Sequence, residues 1–524
     1  MTYERAVQYL LTLGRELASP QQARATKFDL ENITALATRL GNPQRFVPCV
    51  HIAGTNGKGS TAAMLASILS AAGLRVGLYT SPHLVRINER IRLFEPFSSP
   101  AGPAAAMPVT TADTQAAAQG DISTGDISDD DFAAAFTRVH AVIEELLASG
   151  SLAAHPTYFE CVTAMAFYFF ASQKSDMAVY EVGLGGRLDS TNIVVPEVAV
   201  ITQVDFDHEN FLGHSIEQIA AEKAGIIKRG AWVVTAAANP AAREVIRLRA
   251  AQQQARLVDI DAGAAYRVSD LRAMDTCYRF VVERATETHE ASGSRKASGS
   301  HEAAASREAV APRKNFEVVQ SRIAVALPLA GRFQVRNAVT AIAAAHLLAE
   351  RGYRIDDAAI SRGLAAVRWP GRLERLQERP AIYLDGTHNP AGARELAAFW
   401  DEHLPRRRIH LVYGAMRDKA VDEVAGLLFP RAATVILTQS PQPRAISADV
   451  LASMTGHLAE TFEVIPDPVA ALERALELAA PDDVVFATGS LFIVGDLHRY
   501  WDALPALVPS LVDAAVRPPL KSTR

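Results

Sequence analysis

The segment HIAGTNGKGSTAAML places Gly54, Thr55, Asn56, Gly57, Lys58, Gly59 and Ser60 between an apolar run and a helical pattern. Glycines there let the backbone approach phosphate oxygens, the first N–H groups of the helix point at an anion, and Lys58 adds a point charge. Ser60 stands where it could reach a phosphate-bound magnesium ion. The spacing departs from G-x-x-x-x-G-K-[ST], since residue 52 is Ile and Gly59 separates the lysine from the serine. A plain Gly-rich turn is the alternative, but a Gly-Lys pair at a helix start after a buried strand favours nucleotide binding. Farther on, TYFE (157 to 160) reads as a T-x-x-E capping box opening an apolar helix.

The elements that must position these residues follow a βαβ rhythm. Between residues 47 and 235, VPCVHIAG, VGLYT, MAVYEV, VAVITQV and AWVVT alternate with helical patterns starting near Lys58, Asp129, Tyr158 and Ile216. Such runs predict a mainly parallel sheet buried on both faces. After RWPGRLERL (368 to 376) the rhythm restarts with AIYLDG, RIHLVYGA, TVILT, EVIP and VVFATGS, separated by helices starting near Pro390, Asp418, Asp449 and Val469. The expected fold is α/β: an N-terminal P-loop-type ATPase domain over 1–367, a linker at 368–373 and a smaller Rossmann-like domain over 374–524. Residues 95–128 and 284–314 are rich in Pro, Gly, Ala, Ser and charge without periodicity, and are expected to be disordered inserts, with His289 and His301 solvated.

The chain has 524 residues with 53 basic and 58 acidic side chains, a net charge of −5. Length alone suggests about three domains, but setting the two inserts aside leaves two. The slight acidity excludes a bulk-charge nucleic-acid binder, which needs Lys and Arg concentrated on one face. Three widely spaced cysteines, Cys49, Cys161 and Cys277, form neither a metal pair nor a disulfide framework, which suits a reducing cytoplasm. No apolar run reaches the roughly 18 residues needed to cross a membrane, and the N-terminus lacks a signal-peptide pattern.

Taken together, GTNGKGS, TSPHLVRINERIR, TYFE, EVGLGGRLDSTNIV, DHENFLG, EKAGIIK and DGTHNPAGA resemble the folylpolyglutamate synthase family, which belongs to the Mur-ligase-like ATP-dependent amide-bond ligases and includes bifunctional dihydrofolate synthases. Their order and spacing agree over nearly the whole chain outside the inserts. The resemblance implies ligation of L-glutamate to a folate, or to dihydropteroate, through an acyl phosphate, in a monomer using ATP and two magnesium ions. It assigns Ser81, Glu181 and His208 to magnesium, with Ser60 as a further ligand. These residues follow predicted strands, where a parallel sheet collects its functional groups. On residue type alone His208 reads equally as a ligand or a capping histidine, because a hard cation prefers oxygen.

Lys223 alone reads as a solvent-facing lysine paired with Glu222 or Glu217; the resemblance implies a carbamylated metal ligand. It further implies Asn337, Arg372 and Asp385 at the nucleotide, and a pterin pocket of Asp29, Leu30, Thr157, Tyr158, Phe159, Glu160, Leu188, Asp189 and Ser190. His388 and Lys419 are weaker candidates for phosphate or glutamate, with surface roles open for both. Lys58, Lys223 and His208 carry the expected catalysis. The rival readings are a ligase of nucleotide-linked peptidoglycan precursors and an ATP-sensing regulator; the latter has no use for Glu181, His208 and Lys223 together.

Overall fold

The computed structural model describes residues 1–13, 29–97, 124–152, 154–261, 265–274, 276–287 and 316–507. Eight strands form the first sheet: β1 (Cys49–Ala53), β2 (Val76–Tyr79), β3 (Ile91–Phe94), β4 (Thr124–Asp126), β5 (Met177–Glu181), β6 (Val198–Ile201), β7 (Trp232–Thr235) and β8 (Arg256–Asp259). Their order is β4-β3-β2-β5-β1-β6-β7-β8. All pairings are parallel except β2 with β3 and β3 with β4. β1, β2, β5 and β6 are buried at every residue, as their apolar sequences predict for a sheet covered on both faces. One covering layer contains the Lys58–Ala71 and Arg332–Glu350 helices, the other the Asp129–Ala148 and Tyr158–Ser172 helices.

Two features depart from the sequence expectation. Thr124–Asp126, inside the stretch expected to be a disordered insert, forms β4. It is held there by Arg92, whose Nε donates to Asp126 at 2.9 Å, and by Asn88, whose amide donates to the Ile127 carbonyl at 2.7 Å. The second expected insert likewise begins inside a strand. β9 (Tyr266–Ala273), β10 (Tyr278–Glu287) and β11 (Phe316–Leu327) form an antiparallel sheet in the order β11-β10-β9. Arg284, within β10, pairs with Glu350. The rest of both stretches, with His289 and His301, lies outside the described residues.

The final sheet has the order β12-β13-β17-β14-β15-β16. Its strands are β12 (Glu374–Glu378), β13 (Ala381–Leu384), β14 (Ile409–Tyr413), β15 (Thr434–Leu437), β16 (Phe462–Val464) and β17 (Val484–Thr488), with only β12 antiparallel. The helix expected from Asp418 starts at Val421 instead, leaving Asp418 and Lys419 in the preceding turn. Trp369 packs on the first core and Leu373 is buried in the second, so the chain crosses between the two sheets at the Trp-Pro-Gly break. Among the described residues no helix is long and apolar enough to cross a membrane.

Strand order decides what can meet. With β2, β5, β1 and β6 adjacent and parallel, Ser81, Glu181, the glycine-rich turn and the Asp207–His208 turn emerge side by side at one edge.

Candidate active site

The turn after β1 is packed too closely for side chains. Gly57 has φ +83°, and a Cβ there would lie 2.4 Å from Asn337 Oδ1; a Cβ on Gly54 would lie 1.8 Å from Thr202 Oγ1. Gly54 to Ser60 all line the cleft. Thr55 ties the turn to the strand beside it, its N–H donating to the Gln203 carbonyl at 2.7 Å and its hydroxyl to the Asp205 carbonyl at 2.9 Å. Lys58 Nζ bridges the Gly54 and Thr55 carbonyls, both at 3.1 Å, and Ser60 Oγ accepts from Gln334 Nε2 at 3.3 Å. Asn337 donates to Gln334 at 2.9 Å, so the Arg332–Glu350 helix holds the loop from above.

Glu181, at the end of β5, is 4% exposed and accepts from the Ser81 N–H at 3.1 Å. Its carboxylate stands 3.4 Å from where a Cβ of Gly59 would be. Burial raises its pKa, opposed by Lys58, the Ser81 N–H and Arg372.

Lys223 is not a surface lysine. It is 3% exposed, and its Nζ donates to the Gly54 carbonyl at 3.0 Å. The Ile216–Ala224 helix buries Ile216, Ile219, Ala220, Lys223 and Ala224, so the lysine shares the inward face. Glu222 pairs with Arg187 instead, and Glu217 is exposed. Burial and the like charge of Lys58 hold the Lys223 pKa down at about 7.

His208 has left-handed backbone, and its side chain makes no cap bond to the Glu209–Leu212 turn, which removes the capping reading. Its Nε2 lies 3.2 Å from Lys419 Nζ, and burial with that cation keeps its pKa at about 4. The neighbouring Asp207, which sequence reasoning passed over, accepts from Lys419 Nζ at 2.9 Å and Asn389 Nδ2 at 3.1 Å, and lies 3.7 Å from His388 Nε2. Burial would raise the Asp207 pKa, but His388, Lys419 and His208 outweigh it and hold the acid well below the usual carboxylate range. Lys419 is therefore not a surface residue; its ammonium sits buried against Asp207 and His208 at the edge of the cleft.

Among the described residues no three His, Cys, Asp or Glu side chains converge as a metal cage. The donor set still fits magnesium, which takes one or two carboxylates together with substrate phosphates and water. Glu181 supplies a buried carboxylate, Ser60 and Ser81 supply hydroxyls, and the neutral imidazole of His208 already faces a cation in the Lys419 ammonium.

The second sheet contributes from the turns after β13 and β14. Asn56 and Asn389 exchange amide hydrogen bonds at 3.2 and 3.0 Å across the cleft. Both Asp385 oxygens accept backbone N–H groups at 2.9 Å, from Leu373 and Thr387, so this acid first of all shapes the crossing segment. Arg372 packs so tightly on Gly386 that a Cβ there would lie 2.2 Å from Nη1. Burial lowers the Arg372 pKa, against the attraction of Asp385 and Glu181. The phosphate loop, Ser81, Glu181, His208, Lys223, Asn337, Arg372, Asp385 and His388 all line one cavity of about 370 Å³.

None of the nine residues expected at a pterin lines that cavity. Thr157 and Glu160 form the reciprocal capping box, with bonds of 3.2 and 2.8 Å, and Arg90 lies over the Tyr158 ring at 5.3 Å. Phe159 backs onto Gly183, where a Cβ would lie 2.5 Å from its ring. Asp189 is a loop former, accepting the N–H groups of Gly183 and Leu184 at 3.0 and 2.9 Å and of Thr191 at 3.0 Å. Leu188 and Ser190 are half-buried on the same loop. Asp29 accepts the Glu31 N–H at 2.9 Å, and Leu30 stands just before the Glu31–Arg39 helix without a side-chain cap bond. Phe159 and Asp189 thus sit behind the Gly183 turn that does line the cavity.

The chain matches the Mur ligase middle domain over residues 131–345 and the Mur ligase, glutamate ligase domain over 371–491. It is 32% identical over 472 residues to the dihydrofolate synthase/folylpolyglutamate synthase of Bacillus subtilis, covering 90% of this chain and 94% of that protein. The solved folylpolyglutamate synthase of Mycobacterium tuberculosis complexed with ADP and AMPPCP superposes with a TM-score of 0.74 at 29% identity, covering 95% of this chain and 99% of that one. A folylpolyglutamate synthase complex with AMPPCP and folate gives 0.69 at 28% identity, covering 95% and 99%. With two Mur ligase domains in order and full-length similarity on both sides, the chain belongs to the folylpolyglutamate synthase/dihydrofolate synthase family.

Proposed function

We propose that this chain uses ATP to ligate L-glutamate to the carboxylate of a folate, and also to dihydropteroate. The observation that carries the reading is the convergence of Lys58, Glu181, Lys223, Asp207 and Lys419 on one cleft between two α/β sheets. The phosphate loop and Lys58 hold the ATP phosphates. The folate carboxylate oxygen attacks the γ-phosphorus, the bond to the β-phosphate oxygen breaks, and ADP leaves. The glutamate amine then attacks the acyl phosphate carbon and loses a proton, and inorganic phosphate departs as the amide forms. Asn337, Arg372 and Asp385 contact the nucleotide. Asp29, Leu30, Thr157–Glu160 and Leu188–Ser190 form the pterin side, while His388 and Lys419 face phosphate or the glutamate carboxylates.

Two magnesium ions, held by Ser60, Ser81, Glu181 and His208, would neutralise phosphate oxygens; a carboxylate and a phosphate 4 Å apart otherwise repel by about 4 kcal/mol at an effective dielectric constant near 20. Lys223 is suited to carbamylation, because a buried amine with a pKa of about 7 is nucleophilic toward carbon dioxide at neutral pH. The functional units are residues 1–367 and 374–524 joined by 368–373, in a cytoplasmic monomer. Closure of these units over the cleft keeps water from the acyl phosphate.

An ADP-release assay over a substrate panel tests this. Release should require a folate or dihydropteroate together with L-glutamate. ADP release that ignores both would mark an ATP-hydrolysing regulator instead.

A further inference from the structure

β1 carries an imidazole inside an otherwise apolar run. His51 is fully buried between Val50 and Ile52, and its Nε2 lies 2.8 Å from the Thr191 hydroxyl. That hydroxyl donates to Asp189 Oδ1, since a carboxylate oxygen can only accept. Thr191 has thereby given away its one proton, so His51 donates to it from Nε2–H. Nδ1 is left as a bare acceptor, and among the described residues it has no hydrogen-bond partner. Burial and the Lys228 cation hold the His51 pKa down at about 3, so the ring is neutral. A buried acceptor without a donor is a cost that an apolar side chain at this place in the sheet would avoid. Stability therefore does not account for His51, and the bond it does make has to.

The chain of bonds ends at the cleft. Asp189 is 6% exposed and takes four donors: the Gly183 and Leu184 N–H groups on Oδ2, and the Thr191 N–H and hydroxyl on Oδ1. Asp189 does not line the cavity, but Gly183 and Leu184 do, directly after Glu181 and Val182. The N–H and C=O of a trans peptide point in opposite directions, so with both N–H groups turned back on Asp189 the Val182 and Gly183 carbonyls face away from it. The rest of the loop has its own anchors. Asn192 Nδ2 donates to the Arg187 carbonyl at 2.9 Å and the Gly225 carbonyl at 3.3 Å, and Lys228 Nζ donates to the Asn192 carbonyl at 2.9 Å. What His51 and Thr191 fix is thus the orientation of one turn. We propose that His51, acting through Thr191 and Asp189, is a positioning residue that sets the Gly183–Leu184 turn against which the acid substrate is seated. The inference rests on the folate reading above and adds to it residues that hold the wall of the site without touching the substrate. Without the Thr191 hydroxyl, Oδ1 keeps a single donor, and a carboxylate cut off from water turns to recover one, taking the Gly183 and Leu184 N–H groups with it.

Steady-state ADP release by the full chain tests this, with tetrahydrofolate varied at saturating ATP and L-glutamate, and then with ATP varied. Thr191→Val should raise the KM for tetrahydrofolate about fivefold to thirtyfold, as loss of one hydrogen bond to a buried charged group does. The KM for ATP and kcat should stay within about twofold of the wild type. His51→Leu should move the KM for tetrahydrofolate the same way by a smaller factor. Thr191→Ser keeps the hydroxyl, and His51→Gln puts an amide N–H in place of the ring Nε2–H, so both should restore wild-type behaviour. His51→Leu exchanges a polar for an apolar side chain in an apolar core and should melt no lower than the wild type, so it decides the matter if Thr191→Val does not fold. An unchanged KM for tetrahydrofolate in folded His51→Leu or Thr191→Val overturns the proposal. So does an equal rise in the KM for ATP, or a failure of His51→Gln and Thr191→Ser to restore, since either marks a packing role alone. A wild-type chain that releases no ADP with tetrahydrofolate or dihydropteroate overturns the substrate reading itself, and this inference with it.

Discussion

Asn56 in the phosphate loop and Asn389 at the start of a helix on the second sheet are 333 positions apart, yet each side chain donates to the other, at 3.2 and 3.0 Å. The glycine-rich loop after β1 is thereby tied to the second sheet. Asn389 also caps its own helix through the Gly392 N–H at 2.9 Å, so the two roles can be separated. Asn389→Ser keeps a capping oxygen and loses the amide. At about 1 kcal/mol per lost bond, nucleotide affinity should fall about fivefold to thirtyfold with little change in melting temperature. Calorimetric titration with ADP and a thermal melt measure the two, and unchanged affinity would mean that the amide pair has no part in closing the cleft.

Glu181 is an acid held where its charge is disfavoured. Burial disfavours its charged form, so the folded pKa lies above the unfolded one, and the group costs stability increasingly as pH rises through the carboxylate range. Glu181→Gln should therefore unfold at pH 7 in no less urea than the wild type, while ligation falls by at least about a hundredfold. Lys58→Ala should likewise abolish ligation in a folded protein. Near-wild-type turnover in either variant would remove the assigned role.

Much of this was legible in the sequence because β1, β2, β5, β6, β13, β14, β15 and β17 are largely apolar and buried at every residue, and the turns after several of them carry the glycines and charges. GTNGKGS marks its loop without help from tertiary structure. Lys223 was not legible, because IEQIAAEKA offers polar residues on several sides and only the Gly54 carbonyl, 169 positions away, explains an inward lysine. β9 was missed for a related reason. Most of Tyr266–Ala273 is exposed, giving no buried-strand run, and the polar stretch between β10 and β11 hides their pairing. Asp207 was overshadowed by His208 beside it, since no local pattern shows that Lys419 and Asn389 will reach the acid from the other sheet.

Carbamylation of Lys223 needs a neutral amine, and a pKa of about 7 makes that fraction grow across the neutral range. With ¹³C-labelled bicarbonate, the protein should show one carbamate resonance whose intensity rises from pH 6.5 to 8.5 and which is absent in Lys223→Arg. Lys58→Ala removes a like charge, so it should raise the Lys223 pKa and move the rise to higher pH. No carbamate signal at pH 8.5 would leave Lys223 an unmodified buried amine and overturn the carbamylation.

His346 gives a pH dependence remote from the cleft. It is buried on the Arg332–Glu350 helix, with Nδ1 3.1 Å from the Tyr266 hydroxyl and its ring stacked on that tyrosine. Burial and the Arg284 cation lower its pKa to about 4, against the pull of Asp357 and Glu350. The unfolded chain takes up this proton near pH 6.5 and the folded one only near 4, so the unfolded state binds more protons between those values. Stability must then fall as pH drops through that window, by about 2 kcal/mol between pH 7 and 5 from this residue alone. His346→Gln still accepts from Tyr266 but cannot titrate there, so urea midpoints measured at pH 7 and 5 should lie closer together than in the wild type. Equal acid sensitivity in the two proteins would show that His346 is protonated in the folded state, with Asp357 compensating the charge.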